Sequence, residues 1–155
     1  MICRCFAAAI VIGAMSQTAM GVSNAEQTPH EKAIKTFEQA FVGEWGPKDA
    51  TEGMRVTLTK DRSTFIIQHE NATRFAGWDP ENKCIKVSTY HSNGGYGYSL
   101  WRLVDSKPTY RIELVEISPD GTRSPSKATT TVLGEDHWQY TPDGGQPIDT
   151  YRIKQ

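Results

Sequence analysis

FVGEW, residues 41–45, lies where a short helical pattern ends and a series of strand-like segments begins. The glycine of this stretch can adopt backbone angles that other residues avoid, and it lets the chain pass close under another backbone segment. The tryptophan two positions later can bury a large flat ring where the first strand starts. The stretch therefore predicts a tight junction between helix and strand, with Gly43 at the junction and Trp45 in the core.

The segment before this junction carries the signals of one short helix, over about residues 29–42. Thr28 is suited to cap the helix, Pro29 to occupy its first turn, and Glu31 to complete a capping box. Three apolar side chains then recur on one face, those of Ile34, Phe37 and Phe41. A helix this short is marginal in isolation, so we expect its apolar face to lie against the rest of the protein.

The remaining sequence alternates strand-like runs with turn signals at a spacing of roughly 8–12 residues, which is typical of an all-β sandwich or barrel. The predicted strands lie near residues 41–46, 54–60, 64–70, 73–78, 84–91, 96–104, 109–117, 126–133, 137–141 and 148–154. Turns such as DPEN at 79–82 and SPDG at 118–121 are short, and short turns join antiparallel neighbours. Because no second helix is predicted to cover a sheet edge, closure of the sheet accounts best for this many strands. The sequence therefore predicts a single antiparallel up-and-down β-barrel of about ten strands with one short N-terminal helix.

Side-chain alternation within the predicted strands indicates which face is buried, although one strand breaks the pattern. In CIKVSTYH (84–91), Ile85 and Val87 share a face with His91. In TYRIELVEI (109–117), the apolar positions change parity after Leu114. We therefore expect a bulge or a bend near Leu114, a feature that barrels often contain.

Residues 1–25 have the three parts of a secretory signal peptide, which is removed from the mature protein. Arg4 supplies the positive charge, residues 6–15 form an apolar stretch, and Ser23-Asn24-Ala25 fits a small-x-small cleavage site. The apolar stretch is about half as long as the roughly 20 residues that a transmembrane helix requires. We therefore expect an exported protein, periplasmic or extracellular, with one domain over residues 26–155 and no transmembrane segment in the mature chain.

Composition and motifs narrow the classes of function. The 17 basic and 18 acidic residues form no block of either sign, so the sequence gives no basic face for nucleic acid. Cys84 is the one cysteine after the leader, so the domain depends on core packing rather than on an internal disulfide. The sequence contains no nucleophile elbow, no zinc-protease motif and no phosphate loop. It therefore predicts no catalytic residue and no metal site, and it favours a non-enzymatic role.

A helix followed by G-x-W and an antiparallel meander resembles the lipocalin-like, or calycin-type, β-barrels. This resemblance implies that Trp45 plugs the closed end of the barrel. It also implies that Arg152, in the final strand, stacks over Trp45 in a cation-π contact of roughly 0.5 to 2 kcal/mol.

A second resemblance covers most of the second half of the chain. GWDPENKCIKVSTYHSNGGYGYSLW (77–101), with a later PDGT turn and a final D-x-Y-R-I-K strand, is similar to the lipocalin-like domain of uncharacterised secreted bacterial proteins. In many of those proteins the domain follows a SnoaL-like domain, which the matching residues do not include, so no activity of that domain is implied. The relatives tend to carry acidic residues at the positions of His91, Asn93 and Tyr98, so a site built from those acids is not implied either.

If the barrel is hollow, the residues that we expect to bind a ligand are His91, Tyr98, Arg102 and His69. His91 continues the inward parity of its strand towards the strand end, which indicates a position inside the barrel mouth. Alternation leaves open whether the even-numbered or the odd-numbered residues of YSLWRLV (98–104) face the lumen. A histidine on the surface or rim of a strand needs no ligand, so each histidine also has a purely structural interpretation.

Three functions remain compatible with the sequence. We expect the exported barrel to bind a small apolar ligand. One alternative is an interaction domain of the cell envelope or the secreted space, with a filled barrel and an exposed apolar patch. The other is a haem-binding barrel or an enzyme, in which His91 would ligate haem iron from one side. The sequence identifies neither the ligand nor the oligomeric state.

Overall fold

The structure, a computed structural model, describes residues 27–104 and 108–154 of the chain. This part of the chain contains one helix, α1 at Pro29–Phe41, and ten strands. The strands are β1 Gly43–Gly46, β2 Met54–Leu58, β3 Thr64–His69, β4 Ala72–Asp79, β5 Cys84–His91, β6 Tyr96–Val104, β7 Thr109–Ile117, β8 Arg123–Gly134, β9 His137–Pro142 and β10 Ile148–Arg152. The predicted signal peptide, residues 1–25, lies outside the described residues and stays a prediction.

The strands form one sheet that closes on itself. Each strand pairs in an antiparallel manner with its neighbours in sequence, and β1 pairs with β10. In this last pairing Trp45 lies opposite Arg152, and Gly46 lies opposite Tyr151. The fold is therefore a closed, up-and-down barrel of ten strands with one short helix, which confirms the predicted fold class.

The helix α1 begins with the predicted capping box and lies across one end of the barrel. The hydroxyl of Thr28 accepts a hydrogen bond from the backbone N–H of Glu31 at 3.2 Å, and the Glu31 carboxylate accepts one from the Thr28 N–H at 2.9 Å. The helix ends at Phe41, with Val42 as its C-cap. Phe37 and Phe41 enter the barrel and are almost fully buried. We call the opposite end, where the β3–β4 and β5–β6 turns lie, the mouth.

The helix-to-strand junction is organised by Arg152. Its guanidinium carbon lies 4.3 Å from the centroid of the Trp45 ring, which is the expected cation-π contact. Nη1 of Arg152 donates to the Val42 carbonyl at 2.8 Å, and Nε1 of Trp45 donates to the Phe41 carbonyl at 2.7 Å. Gly43 has a φ of 140°, and a Cβ atom there would overlap Nη1 of Arg152. The close approach at Gly43 is therefore made by this side chain and not, as expected, by a backbone segment.

Arg152 also connects the junction to the turn between β8 and β9. Nε and Nη2 of Arg152 donate to the Glu135 carbonyl at 3.2 and 3.1 Å, and Nε lies 3.1 Å from a carboxylate oxygen of Asp136. These contacts satisfy several of the five N–H donors of one guanidinium, a group that is costly to bury without partners. One side chain thus holds the end of α1, the start of β1 and the β8–β9 turn together.

The expected bulge near Leu114 is wrong. β7 pairs with β6 and with β8 in regular register along its whole length, and Leu114 lies opposite Ser99. Parity changes in the sequence because Glu116 takes the next inward position, while Val115 and Ile117 lie on the outer face beside tyrosines of β6. The register shift of the barrel lies instead in β8, between Val132 and Gly134.

Replacement of the buried plug, Trp45→Ala, should lower the free energy of unfolding by about 3–5 kcal/mol, because Trp45 is 1% exposed and the ring leaves a large cavity. Leu133→Ala is the control, since Leu133 is 53% exposed and its removal should change stability by less than about 0.5 kcal/mol. Urea denaturation followed by circular dichroism measures both. A loss for Trp45→Ala as small as that of the control would contradict the plug assignment.

Gly43→Ala should destabilise the barrel more than Gly94→Ala. Both glycines have positive φ, at 140° and 86°, but a Cβ atom at Gly94 meets nothing within 4 Å. Gly94→Ala therefore measures backbone strain alone, about 1–2 kcal/mol, whereas Gly43→Ala also displaces Arg152 from Trp45. Equal losses in the same denaturation assay would show that Arg152 is not held at Gly43.

Tyr110 carries a buried hydroxyl for which the described residues provide no hydrogen-bond partner. Tyr110→Phe should therefore leave the free energy of unfolding unchanged or raise it by up to about 1 kcal/mol. Burial also raises the pKa of the Tyr110 phenol, so above the ordinary tyrosine pKa of 10.0 the unfolded chain releases a proton that the folded state retains. Stability should thus fall as the pH rises above 10.0, and fall less in Tyr110→Phe. A loss of about 2 kcal/mol at neutral pH would instead indicate a hydrogen-bonded hydroxyl.

Candidate ligand-binding cavity

A cavity of about 490 Å³ occupies the lumen between α1 and the mouth. This volume lies within the range of roughly 300–1,000 Å³ that is typical of small-molecule pockets. The residues that line the cavity include His69 and Ile148, which are exposed at the mouth. The cavity therefore reaches the surface at the end of the barrel that α1 leaves open.

The floor and the walls of the cavity are mainly apolar. The floor is formed by the aromatic side chains of Phe37, Phe41, Trp45, Trp101 and Trp138. Aliphatic side chains that alternate inward along the strands form the walls, and these are Val56, Ile67, Val87, Ile112 and Leu114. Such a surface is poorly solvated and gains free energy when an apolar molecule covers it.

A polar pair lies on one side of the lumen near the mouth. Nε2 of His91, on β5, is 2.9 Å from Oε2 of Glu116, on β7. The intervening strand β6 places Gly97 in register with Glu116 on one side and with Thr89 on the other. A Cβ atom on Gly97 would lie 2.5 Å from Oε2 of Glu116. The glycine therefore leaves the space through which Glu116 reaches across β6 to His91.

Arg74 places a positive charge inside the lumen. It lies on β4, in register with Ile67 on β3 and Thr89 on β5, both of which are buried. The residue is half-buried and lines the cavity. Burial lowers the pKa of the Arg74 guanidinium, while the Glu116 carboxylate and the Tyr140 phenol act to raise it. A guanidinium is not deprotonated in proteins at neutral pH, so Arg74 stays charged.

Two of the four predicted ligand-binding residues lie at the mouth of the barrel. His69 lines the cavity there, and His91 lies in the pair with Glu116 but outside the cavity lining. Whether either residue binds a ligand stays a prediction.

Tyr98 and Arg102 do not face the lumen, so of the two alternatives for residues 98–104 the structure has the odd-numbered side chains inside. The odd-numbered residues of β6 face inward, so both side chains lie on the outer face of the barrel. The hydroxyl of Tyr98 accepts a hydrogen bond from Arg123 at 3.2 Å, and Arg102 donates to Glu113 at 3.0 Å. Solvation and these outer partners favour this orientation over a charged group in the apolar lumen.

An aromatic ladder follows the outer face of β4, β5 and β6. Its rings are those of Phe75, Tyr90, Tyr96 and Tyr98, and successive centroids lie 6.2, 6.3 and 6.5 Å apart. Phe75, Tyr90 and Tyr96 are 43%, 54% and 40% exposed. The ladder is the exposed apolar surface that the interaction alternative requires.

The residues around His91 do not fit haem. An iron ligand must face the cofactor inside the cavity, but His91 is absent from the cavity lining. The charged groups of Arg74 and Glu116 lie in that lining instead. The lumen therefore suits an apolar chain with a polar end better than a broad macrocycle.

Two charged residues of the lumen, Arg74 and Glu116, are missing from the sequence-based site. Both follow the inward parity of their strands, Arg74 with Ala76 and Glu116 with Ile112. Parity alone would have indicated them, but a charged residue in a strand is usually assigned to the outer face.

Among residues 27–104 and 108–154, no group of three or more histidine, cysteine, aspartate or glutamate side chains is arranged to hold a metal ion. In the same ranges, no helix is both long enough and apolar enough to cross a membrane.

Comparisons with protein-family models, with curated proteins and with solved structures give no significant match. The geometry itself defines the class of protein: a ten-stranded, antiparallel, up-and-down β-barrel that a helix closes at one end and whose lumen contains a cavity.

Proposed function

We propose that this protein is an exported, lipocalin-like barrel that binds a small apolar ligand in its lumen and catalyses no reaction. The observation that carries the proposal is the cavity of about 490 Å³ with its mainly apolar lining. The charged side chains of Arg74 and Glu116 lie towards the mouth, and a few charged groups in an apolar pocket can orient a ligand by one end. The proposed export rests on the sequence of residues 1–25.

The alternative of an interaction domain has support from the outer face of the barrel. The aromatic ladder on β4, β5 and β6 is exposed and contiguous. The same alternative expects a filled interior, however, and the cavity does not agree with that expectation. Ligand binding is therefore the function that the geometry supports best.

A lumen-filling variant tests the proposal. Leu114→Trp places an indole in the cavity and should weaken binding of N-phenylnaphthylamine, an uncharged apolar fluorescent probe, by about tenfold or more, because the probe and the indole compete for one space. Val115→Trp is the matched control, since Val115 is the next residue of β7 and lies on the outer face. The dissociation constant is measured by titration of probe fluorescence, and circular dichroism verifies that both variants are folded.

The probe must bind the wild-type protein and the control alike for the proposal to hold. An equal loss in the two variants would place the probe outside the lumen. Unchanged binding in Leu114→Trp would do the same, and either result would contradict the proposed function.

A further inference from the structure

Arg74 lines the cavity, and among residues 27–104 and 108–154 it has no acidic partner at salt-bridge distance. Four arginines form ion pairs on the outside or at the ends of the barrel: Arg55 with Glu44, Arg62 with Glu38, Arg102 with Glu113, and Arg152 with Asp136. Arg74 makes none of the hydrogen bonds or ion pairs found among residues 27–104 and 108–154. It is nevertheless half-buried between two buried neighbours in an apolar cavity. Partial burial of a charge is costly unless an acceptor satisfies its donors.

The acidic group that acts on Arg74 is hydrogen-bonded to another residue through one of its oxygens. Glu116 acts on Arg74 through its charge, and its Oε2 lies 2.9 Å from Nε2 of His91. Gly97 has no side chain, and this leaves the space in which Glu116 crosses β6 towards His91. The donors of Arg74 are therefore available to an acceptor that enters the cavity.

Tyr140 supplies a second donor to the same space. Its side chain lines the cavity from β9, and burial raises the pKa of its phenol, so the hydroxyl keeps its proton at neutral pH. The positive charge of Arg74 acts on this phenol through space. A guanidinium and a phenol that face one cavity form a donor set, and a carboxylate is the acceptor that matches a guanidinium best.

The position of Arg74 along the barrel sets the orientation of the ligand. Arg74 lies two residues from the start of β4, next to the mouth, whereas the aromatic floor lies at the α1 end. An anionic group at Arg74 would thus remain near solvent, and an apolar chain would extend towards Phe41 and Trp101. This arrangement leaves the wall between the two ends apolar, as a hydrocarbon chain requires.

We propose that the ligand is a single-chain anionic amphiphile whose carboxylate binds Arg74 and whose hydrocarbon chain fills the lumen. This inference rests on the proposed function and adds the chemical class of the ligand. Glu116 is the opposing charge within the site: it repels the carboxylate and limits the affinity, and its pairing with His91 keeps it away from the Arg74 donors.

The test compares two ligands that share a chain and differ in the head group, dodecanoate and dodecanol. Isothermal titration at neutral pH, below the concentrations at which either ligand aggregates, should show that the wild-type protein prefers dodecanoate. Arg74→Gln should weaken dodecanoate binding by about tenfold or more and change dodecanol binding by less than about twofold, because only the first ligand makes a charge-assisted contact. Arg111→Gln is the matched control, since Arg111 is exposed on the outer face of β7 and its loss removes the same charge.

Glu116→Gln should change the affinity for dodecanoate in the direction opposite to Arg74→Gln. It keeps a side chain that can hydrogen-bond to His91 but removes the negative charge, so it should strengthen dodecanoate binding several-fold and leave dodecanol unchanged. A loss of dodecanoate affinity in this variant would contradict the assigned geometry. Arg74→Lys retains the charge and should keep part of the preference, which makes the test independent of whether Arg74→Gln folds well.

The outcomes separate the two proposals. If dodecanoate and dodecanol bind the wild-type protein equally, or if Arg74→Gln weakens both alike, the head-group assignment is overturned and binding in the lumen stands. If neither ligand binds and the uncharged probe also fails to bind, the proposed function fails and the head-group assignment falls with it.

Discussion

The contact of Arg152 with Trp45 is the interaction on which the rest of the structure depends. Trp45 and Arg152 lie opposite each other in the pairing of the first and last strands, so their stacking occurs where the sheet closes into a barrel. The same guanidinium binds the carbonyl at the end of α1 and the β8–β9 turn. Gly43 is the residue that makes room for it. Closure therefore removes the sheet edges, and the contacts of Arg152 at the closing strands also hold the helix across one end. The other end is left as the entrance to the lumen.

A closed barrel with a bulky plug at one end need not be solid. Ten strands enclose more space than the aromatic side chains of the floor can fill, and the cavity lies between that floor and the mouth. The charged side chains that line this space near the mouth are those of Arg74, on β4, and Glu116, on β7. The fold thus places apolar side chains at the α1 end of the cavity and charged side chains near the mouth. The proposed orientation of an amphiphile follows from this arrangement.

Much of the fold could be predicted because its determinants are local. The capping box of α1, the turn chemistry and the alternation within strands are each contained in a few residues, and the strands lie close to their predicted positions. The site was harder to predict from the sequence because it depends on the register between strands that are distant in the sequence. Arg74 and Glu116 follow inward parity, but charged residues in strands are normally assigned to the outer face. The parity change near Leu114 predicts a bulge for the same reason, whereas it arises because Glu116 faces inward. The reason for a glycine at position 97 is visible only in the structure, where Glu116 reaches across Gly97 to His91.

The central claim is that the lumen is a binding site, and native mass spectrometry of the protein tests it most directly. Protein produced from the full-length chain and purified gently, then incubated with a lipid extract, should carry an added mass that leaves on denaturation. The account predicts that this mass is absent from Leu114→Trp, in which an indole occupies the cavity, and present in Val115→Trp. A wild-type mass that stays equal to that of the polypeptide alone, before and after incubation with the extract, would contradict the account.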